Sequence, residues 1–374
     1  MHLIYRVAHI PGEGCYNWYS IEKGEINMKG IGIIGAGGMG HQHALYLTEN
    51  KGVQKLGVFD VNAKRAQDFA ETFHARCYAT LEEMLEDDEI DGVFIVTPPK
   101  THLSLTRQAF EYGKHVFCEK PVASSLEDAE QILQLCKEHS DLCFMIGFPE
   151  RFNGPNVELK KMIEDGKLGK IKMIRTNTRL SLETYQKEHI PWLRGRKSGG
   201  GVILEASIHS WDLMQWIAGS KLKRVHAEGT GELHSGDDIF DTQVVAAGVL
   251  ENGVLVVNDS TFILPKNSPY DKKLEVFGTD ATVSIDYQTQ NFRMFSRKPN
   301  EVGGGTYDGL FYPDLFWFSH EFGAVKKEQE AFLEAIKDPH HRSLSGASDA
   351  LDALQAVLAV AAAVDEGRSA DEEY

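Results

Sequence analysis

The stretch Ile31-Gly-Ile-Ile-Gly35-Ala-Gly37-Gly-Met-Gly40 decides the fold of this chain. An apolar, mostly β-branched run ends in Gly-x-Gly-x-x-Gly, and the residues that follow can begin a helix. Such a strand–turn–helix uses Gly35 for the tight turn, Gly37 for close approach of the backbone to a pyrophosphate and Gly40 for helix packing. The helix N-terminus then offers free N–H groups to phosphate. A glycine-rich turn without a ligand is the alternative.

An acid at the right distance strengthens the first interpretation. The predicted strand Lys55-Leu-Gly-Val-Phe-Asp60 ends about 20 residues after the last glycine, as a dinucleotide fingerprint requires. We expect Asp60 to bind the adenosine hydroxyls and repel a 2′-phosphate, so that NAD is favoured over NADP. Lys64 and Arg65 either soften that preference or form a solvated helix face. The predicted cofactor ligands in this region are Gly35, Gly37, Gly38, Met39, Gly40 and Asp60.

Length and composition restrict the class of protein. At 374 residues the chain predicts two domains, and 42% hydrophobic with 25% charged residues indicates a soluble globular protein. A net charge of −16 argues against nucleic acid or an anionic membrane as partner. The five cysteines lack C-x-x-C or zinc-like spacing, which predicts reduced thiols in the cytoplasm and no metal site. No apolar run approaches the roughly 18 residues of a membrane span.

The order of predicted elements divides the chain. The first predicted strand begins just after Met28, so we interpret residues 1–27 as a leader or non-native extension. Strands alternate with helices over 28–148, which predicts a doubly wound parallel sheet and places the chain in the α/β class. Residues 149–374 predict an α+β domain with a large, mostly antiparallel open sheet. The size of that sheet suggests that another subunit covers part of it.

Polar residues follow two of the predicted parallel strands. Because ligands bind at the carboxyl ends of strands in an open α/β sheet, we expect cofactor contacts there. A lysine beside a nicotinamide can hydrogen-bond a substrate hydroxyl, although a surface Glu-Lys-Pro turn is the alternative. His102 either lines the site or is structural. The residues concerned are Thr97, Pro98, His102, Glu119 and Lys120.

A second set of candidate catalytic residues follows a run of three glycines. Glu205 and His209 are four residues apart, so on a helix they share a face, and Asp212 follows three residues later. A carboxylate beside an imidazole can hold its tautomer and make it a general base near neutral pH. A structural histidine between domains is the alternative.

The loop before the three glycines is rich in cations and aromatic side chains. Its candidate residues are Tyr185, His189, Trp192, Arg194, Arg196 and Lys197. Trp192 is suited to stacking on a sugar ring, and Arg194 to binding a carboxylate or phosphate; a solvated basic loop is the alternative. Arg179, beside Thr178 at the end of a strand, is a further substrate candidate. Arg151 either binds substrate or is structural.

Five features of the sequence carry a family resemblance: Gly35–Gly40, Asp60, Glu119-Lys120-Pro121, Gly147-Phe-Pro-Glu-Arg151-Phe152 and Gly199-Gly-Gly201-Val-Ile-Leu-Glu205-Ala-Ser-Ile-His209-Ser-Trp-Asp212. In this order they resemble the glucose-fructose oxidoreductase / inositol dehydrogenase (Gfo/Idh/MocA) family. The resemblance covers Met28 to about Gly367. It implies a Rossmann domain followed by a substrate-binding and oligomerisation domain, and a homodimer or homotetramer formed through the C-terminal sheet. Lys120 and His209 would be its catalytic pair, and Glu205 stands where the family commonly has Asp.

The expected activity is that of an NAD-dependent dehydrogenase. Its substrate would be a secondary hydroxyl of a sugar, cyclitol or polyol, with His209 taking the hydroxyl proton and Lys120 polarising the oxygen. One rival is a transient oxidation by tightly bound NAD, with a glycosidase- or epimerase-like net reaction. The other is a non-enzymatic dinucleotide sensor, which would need neither Lys120 nor His209.

Overall fold

The computed structural model describes residues 28–183, 191–235, 238–289, 291–297, 306–311, 323–337 and 345–371. Its first sheet has six strands, all parallel, in the order β3-β2-β1-β4-β5-β6. The strands are β1 (Met28–Ile34), β2 (Val53–Phe59), β3 (Arg76–Cys77), β4 (Gly92–Ile95), β5 (His115–Cys118) and β6 (Phe144–Ile146). This order reverses direction between β1 and β4, which creates the crevice where such sheets bind ligands.

Five helices connect these strands, as the alternating pattern predicts. They are α1 (Gly38–Glu49), α2 (Ala63–Phe73), α3 (Leu81–Leu85), α4 (His102–Glu111) and α5 (Leu126–Glu138). Thr80 and Ser125 begin two of them by accepting a hydrogen bond from a backbone N–H three residues later. The central strand β4 is buried at every position, because both faces of a parallel sheet are covered.

The second sheet has eight strands in the order β14-β13-β12-β11-β7-β10-β9-β8. Within this second sheet, β7–β10 is the only parallel pair among the described strands. The predicted mostly antiparallel sheet, and with it the fold class, is therefore confirmed. The sequence did not predict β14. The strands are β7 (Ile171–Arg179), β8 (Leu222–Ser235), β9 (Asp238–Leu250), β10 (Leu255–Thr261), β11 (Asp271–Gly278), β12 (Ala281–Asp286), β13 (Asn291–Ser296) and β14 (Thr306–Phe311).

Only one face of the second sheet is covered by described residues of this chain. Helix α6 (Gly154–Glu164) precedes the sheet, and helix α7 (Ser207–Ala218) packs on it, with Thr178 bonded to Ser210 at 3.0 Å. The opposite face leaves large apolar side chains in solvent, with Val245 58% and Leu255 53% exposed. An exposed apolar sheet face of this kind is typical of an association surface.

The chain returns to the first sheet after completing the second. Helix α8 (Ala324–Lys337) buries Phe332 fully, edge-on against Phe94 and Phe117 of the first sheet, with ring centroids 5.3 and 5.7 Å away. The predicted second domain of residues 149–374 therefore contributes a helix to the core of the first. The boundary at residue 148 itself stays a prediction, and the predicted leader, 1–27, lies outside the described residues.

Helix α9 (Ala347–Asp371) differs from the expectation that no apolar run approaches the length of a membrane span. Over Ala347–Gly367 it is long and apolar enough to cross a membrane by length and composition, although no apolar run of that kind was expected. About half of that apolar window is buried in this chain, and the side chains of Leu354, Val357 and Val360 are wholly within the core. Its packing is that of a core helix.

Candidate active site

The glycine-rich turn between β1 and α1 has the shape that a dinucleotide requires. Gly35 has φ +110°, and a Cβ there would lie 2.7 Å from the Val96 carbonyl oxygen, so only glycine fits. By contrast, a Cβ built on Gly37 or Gly38 would meet no described atom within 4 Å beyond the adjacent residues and the backbone of the helix itself. No side chain caps the N-terminus of α1, so its first N–H groups are available to a ligand. Free donors beside an open cradle fit a diphosphate.

Asp60 lies at the end of β2 and holds the glycine turn in place. Its Oδ2 accepts a hydrogen bond from Ala36 N at 2.8 Å, and its Oδ1 accepts one from Asn62 N at 2.8 Å. The half-exposed Arg65 donates to the same Oδ1 at 2.9 Å. The acid is therefore where the fingerprint predicts it, but it carries a guanidinium partner that can also meet a 2′-phosphate.

His102 is a structural link in this chain. Its ring is fully buried, with Nε2 2.8 Å from Thr97 O and Nδ1 3.0 Å from Pro121 O. Burial lowers the pKa of His102, although the backbone carbonyl groups oppose this effect. Because both ring nitrogens face backbone oxygens, the contacts support the structural alternative rather than cofactor binding. His102 ties the turn after β4 to the Glu-Lys-Pro turn.

Lys120 and Glu205 meet between the two halves of the molecule. Lys120 Nζ donates to the Glu205 carbonyl oxygen at 2.8 Å and lies 3.4 Å from Glu205 Oε1. The two side chains are 13% and 11% exposed. The residues are 85 positions apart, so folding alone brings the predicted lysine and carboxylate together.

His209 lies one helical turn beyond Glu205. A π-helical turn, Val202–Ala206, carries Glu205 and runs directly into α7, which carries His209. Both residues are buried, and the His209 ring packs edge-on against Phe148 with a centroid distance of 6.5 Å. Helical turns of this wide type occur often at functional sites. Glu205 and His209 therefore lie on one continuous helical segment that is widened at Glu205, and their sharing of one helix face stays a prediction.

The three glycines position this helix against the cofactor side of the molecule. Gly199 has φ +87°, and a Cβ there would lie 3.0 Å from Pro99 and 3.5 Å from Pro121. A Cβ on Gly200 would overlap the Leu193 carbonyl oxygen. The turn after β4, the Glu-Lys-Pro turn and the glycine loop therefore pack against one another, which is why glycines stand at these positions.

Several predicted substrate residues lie elsewhere or face other partners. The buried Arg151 donates to both oxygens of Asp212, at 2.6 and 3.0 Å, and its contacts therefore support the structural alternative. Arg179 projects from the open face of the second sheet, away from α7, and pairs with Asp259 at 2.6 Å. Since strand side chains alternate between faces, Thr178 points to α7 and Arg179 cannot reach the same site.

The basic loop is only partly described. Arg194 is exposed, and Arg196 is held by Asp241 at 2.7 Å and Asp365 at 2.6 Å, so Arg196 anchors the glycine loop. Tyr185 and His189 lie outside the described residues, as does the side chain of Trp192. Their predicted roles, and that of Arg194 in substrate binding, stay predictions.

The sequence interpretation missed a buried polar group behind Lys120. His43 of α1 is fully buried, with Nε2 2.8 Å from Glu119 Oε1 and Nδ1 2.8 Å from Gln329 Nε2. Glu119 was predicted as a cofactor ligand, but its carboxylate is occupied by His43 and by the Lys120 N–H at 3.1 Å. The signal available in the sequence was a histidine three residues after Gly40, on the helix face that packs on the sheet.

The fold and this site define an NAD-binding oxidoreductase, and comparison with known proteins identifies its family. Residues 29–148 match an oxidoreductase family with an NAD-binding Rossmann fold. Residues 156–284 match the C-terminal domain of the same Gfo/Idh/MocA family. The chain belongs to this family, which confirms the resemblance and the NAD-binding first domain.

Relatives differ in the reaction that their names give. The myo-inositol 2-dehydrogenase of Thermotoga maritima is 26% identical over 84% of this chain and 90% of its own length. The 2,7-anhydro-N-acetylneuraminate hydratase of Mediterraneibacter gnavus is 29% identical over 70% of this chain and 71% of its own. Levoglucosan dehydrogenase in complex with NADH superposes with a TM-score of 0.78 over 90% of this chain and 97% of its own, at 20% identity, which is a likeness of fold.

Proposed function

We propose that this protein oxidises a secondary hydroxyl of a sugar, cyclitol or polyol by hydride transfer to NAD. The observation that carries the proposal is the contact of Lys120 Nζ with the Glu205 carbonyl oxygen at 2.8 Å, with His209 one turn further along the same helical segment. This contact supports a site at the carboxyl end of β5, where the fold binds ligands, with a cation, a carboxylate and an imidazole as its reactive groups. Inositol and sugar dehydrogenases among the relatives support the substrate class.

The two titratable side chains have complementary roles in this proposal. NAD, when bound at the glycine turn, would supply the hydride acceptor. Lys120 donates a hydrogen bond to the substrate hydroxyl and stabilises the negative charge that develops on its oxygen. His209 accepts the hydroxyl proton as general base, the role in proton transfer that histidine fills most often. Glu205 fixes the Lys120 ammonium, so the cation is oriented before substrate arrives.

Burial makes these interactions effective. Lys120 and Glu205 are almost wholly shielded from solvent, at 13% and 11% exposure. Charge interactions in such an environment are stronger than in bulk water, since the local dielectric constant is lower. The same shielding protects a reduced cofactor and a carbonyl product from side reactions.

A transient oxidation by tightly bound NAD is the second candidate. The hydratase from Mediterraneibacter gnavus supports it, because this relative is named for a reaction with no net oxidation. The same Lys120 and His209 would serve both reactions. The two candidates differ in whether NADH accumulates and in whether NAD stays with the protein through purification.

The test is NADH formation by the purified protein with NAD and a panel of inositols, aldoses, sugar acids and amino sugars. We expect NADH formation with one group of substrates. The variant Lys120→Met should lose at least about 100-fold in kcat, with its NAD affinity nearly unchanged. Lys100→Met is the matched control, because Lys100 is exposed at the same end of the sheet.

Each outcome has a definite meaning. Unchanged turnover in Lys120→Met would eliminate the mechanism. If no substrate of the panel gives NADH and the purified protein contains bound NAD, the transient oxidation is favoured. If no substrate gives NADH and NAD exchanges freely, a dinucleotide sensor is favoured.

We also propose that the protein is a cytoplasmic homodimer or homotetramer associated through the open face of the second sheet. Exposed Val245 and Leu255 on that face support the association. The four described cysteines form no disulfide with one another, which supports a reducing compartment. Light scattering that gives a monomer mass would exclude the oligomer, and cell fractionation tests the location.

A further inference from the structure

A buried hydrogen-bonded row connects helix α8 to the backbone of Lys120. Gln329 Nε2 donates to His43 Nδ1 at 2.8 Å, and His43 Nε2 donates to Glu119 Oε1 at 2.8 Å. The other carboxylate oxygen, Oε2, accepts the Lys120 N–H at 3.1 Å. All three side chains of the row are buried, with residue exposures of 2% for Gln329, 0% for His43 and 8% for Glu119.

The direction of these hydrogen bonds fixes the state of His43. An amide nitrogen can only donate, so Gln329 requires His43 Nδ1 to be an acceptor. The proton of a neutral imidazole then sits on Nε2, where it points at Glu119. Gln329 therefore selects the tautomer that presents a donor to the carboxylate.

We propose that Gln329 and His43 are positioning residues, which hold the Glu119 carboxylate against the Lys120 backbone and so set the place and reactivity of the Lys120 amine. The proposal rests on the catalytic role of Lys120 given above. Helix α8 follows the whole second sheet in the chain, and this role connects it to the active site at the edge of the first sheet.

Two neighbouring buried carboxyls show what His43 contributes. Burial opposes ionisation of Glu119, but the hydrogen bond from His43 and the nearby Lys120 outweigh it and hold the pKa of Glu119 below its ordinary value. Glu328, next to Gln329 on α8, makes no hydrogen bond of normal geometry with its carboxyl among the described residues. Burial, reinforced by the charge of Glu119, raises the pKa of Glu328 well above its ordinary value. The hydrogen bond from His43 and the nearby Lys120 distinguish the environment of Glu119 from that of Glu328.

The packing around the row leaves Glu119 little freedom to find another partner. A Cβ built on Gly147 would lie 3.3 Å from Glu119 Oε2, so the carboxylate rests on the backbone of that glycine. The His43 ring is enclosed by Phe94 and Phe117, each with a centroid 5.2 Å away. Removing the histidine donor therefore leaves Glu119 Oε1 buried without its hydrogen bond, which is costly, while Oε2 keeps the Lys120 N–H.

The experiment compares His43→Leu, His43→Gln and Gln329→Leu with the wild-type protein. Glutamine places an amide N–H near the position of the imidazole Nε2, so His43→Gln restores the donor that His43→Leu removes. Lys326→Leu, about one turn earlier on α8, is the matched control. Thermal melting first establishes that each variant is folded, and NAD affinity is measured separately.

We expect His43→Leu to lower kcat about 10- to 100-fold, with KM and the Kd for NAD changed less than about threefold. Gln329→Leu should show the same pattern more weakly, and His43→Gln should recover most of the loss. The positioning role is overturned if His43→Leu keeps wild-type kcat, if His43→Gln is as impaired as His43→Leu, or if NAD affinity falls in parallel with kcat.

A second measurement is independent of the proposed dehydrogenase activity. The rate at which an amine-reactive reagent, trinitrobenzenesulfonate, labels Lys120 at fixed pH is followed by mass spectrometry of the peptide. Labelling should be at least about threefold faster in His43→Leu, because loss of the neighbouring negative charge favours the uncharged, reactive amine. Faster labelling without turnover in any protein would reject the proposed function and keep the positioning role. Unchanged labelling would reject the positioning role itself.

Discussion

The substitution Glu328→Gln provides a thermodynamic test of the buried region behind the active site. Glu328 is 1% exposed, and burial, with Glu119 and Asp212 adding to it, raises its pKa well above its ordinary value. The backbone N–H of Phe148 opposes this effect. We therefore expect the carboxyl to be protonated in the folded protein at neutral pH, whereas it is ionised in the unfolded chain.

The sign of the pH dependence follows from that difference. At pH values between the unfolded and the folded pKa of Glu328, the folded protein binds one more proton than the unfolded chain. The free energy of unfolding therefore decreases with increasing pH, by at most about 1.4 kcal/mol per pH unit. The stabilising contribution is complete below the unfolded pKa and is lost as pH rises through the folded pKa. Glutamine has no such titration, so Glu328→Gln should gain stability relative to wild type as pH rises.

The assay is urea unfolding followed by circular dichroism from pH 4.5 to 8, at one protein concentration because of association. The amide adds a pH-independent offset, so the informative quantity is the slope of the difference between the two curves. Glu330→Gln, a half-buried neighbour on α8, is the control and should give a flat difference. A flat difference for Glu328→Gln as well would refute the reasoning and would mean that the carboxyl has a partner.

Two further predictions concern the cofactor. Gly37→Ala should leave the melting temperature unchanged, since its Cβ would meet no described atom within 4 Å beyond the adjacent residues. It should weaken NAD binding about tenfold or more in a fluorescence titration, because the methyl group enters the space for the diphosphate. Equal NAD affinity would show that the glycine turn is not the binding site. Arg65→Ala should lower NADP affinity about tenfold and NAD affinity little, because a charge-assisted hydrogen bond contributes about 1.5–3 kcal/mol. Lys64→Ala, whose ammonium pairs with Asp68 at 3.0 Å, is its control, and an equal loss of both cofactors in Arg65→Ala would contradict the prediction.

The sequence alone determined the fold class, the family and the NAD-binding first domain of this protein. A glycine turn, an acid at a fixed distance and strands of period two are local patterns, and each depends on residues within one or two elements. For that reason the doubly wound sheet, the mostly antiparallel sheet and the NAD-binding turn were predictable. Lys120, Glu205 and His209 were also predicted as catalytic residues from short motifs at the ends of predicted elements.

Tertiary structure decided which polar residues face the site. Arg179 and Thr178 are adjacent in sequence, but strand alternation sends Arg179 to the open face and Thr178 towards α7. Arg151 and Asp212 are 61 residues apart and neutralise each other in the core. Gln329 lies 286 residues from His43, and only the return of α8 to the first sheet brings them together. Such pairings depend on how elements pack, and no local pattern of residues encodes which buried polar groups will meet.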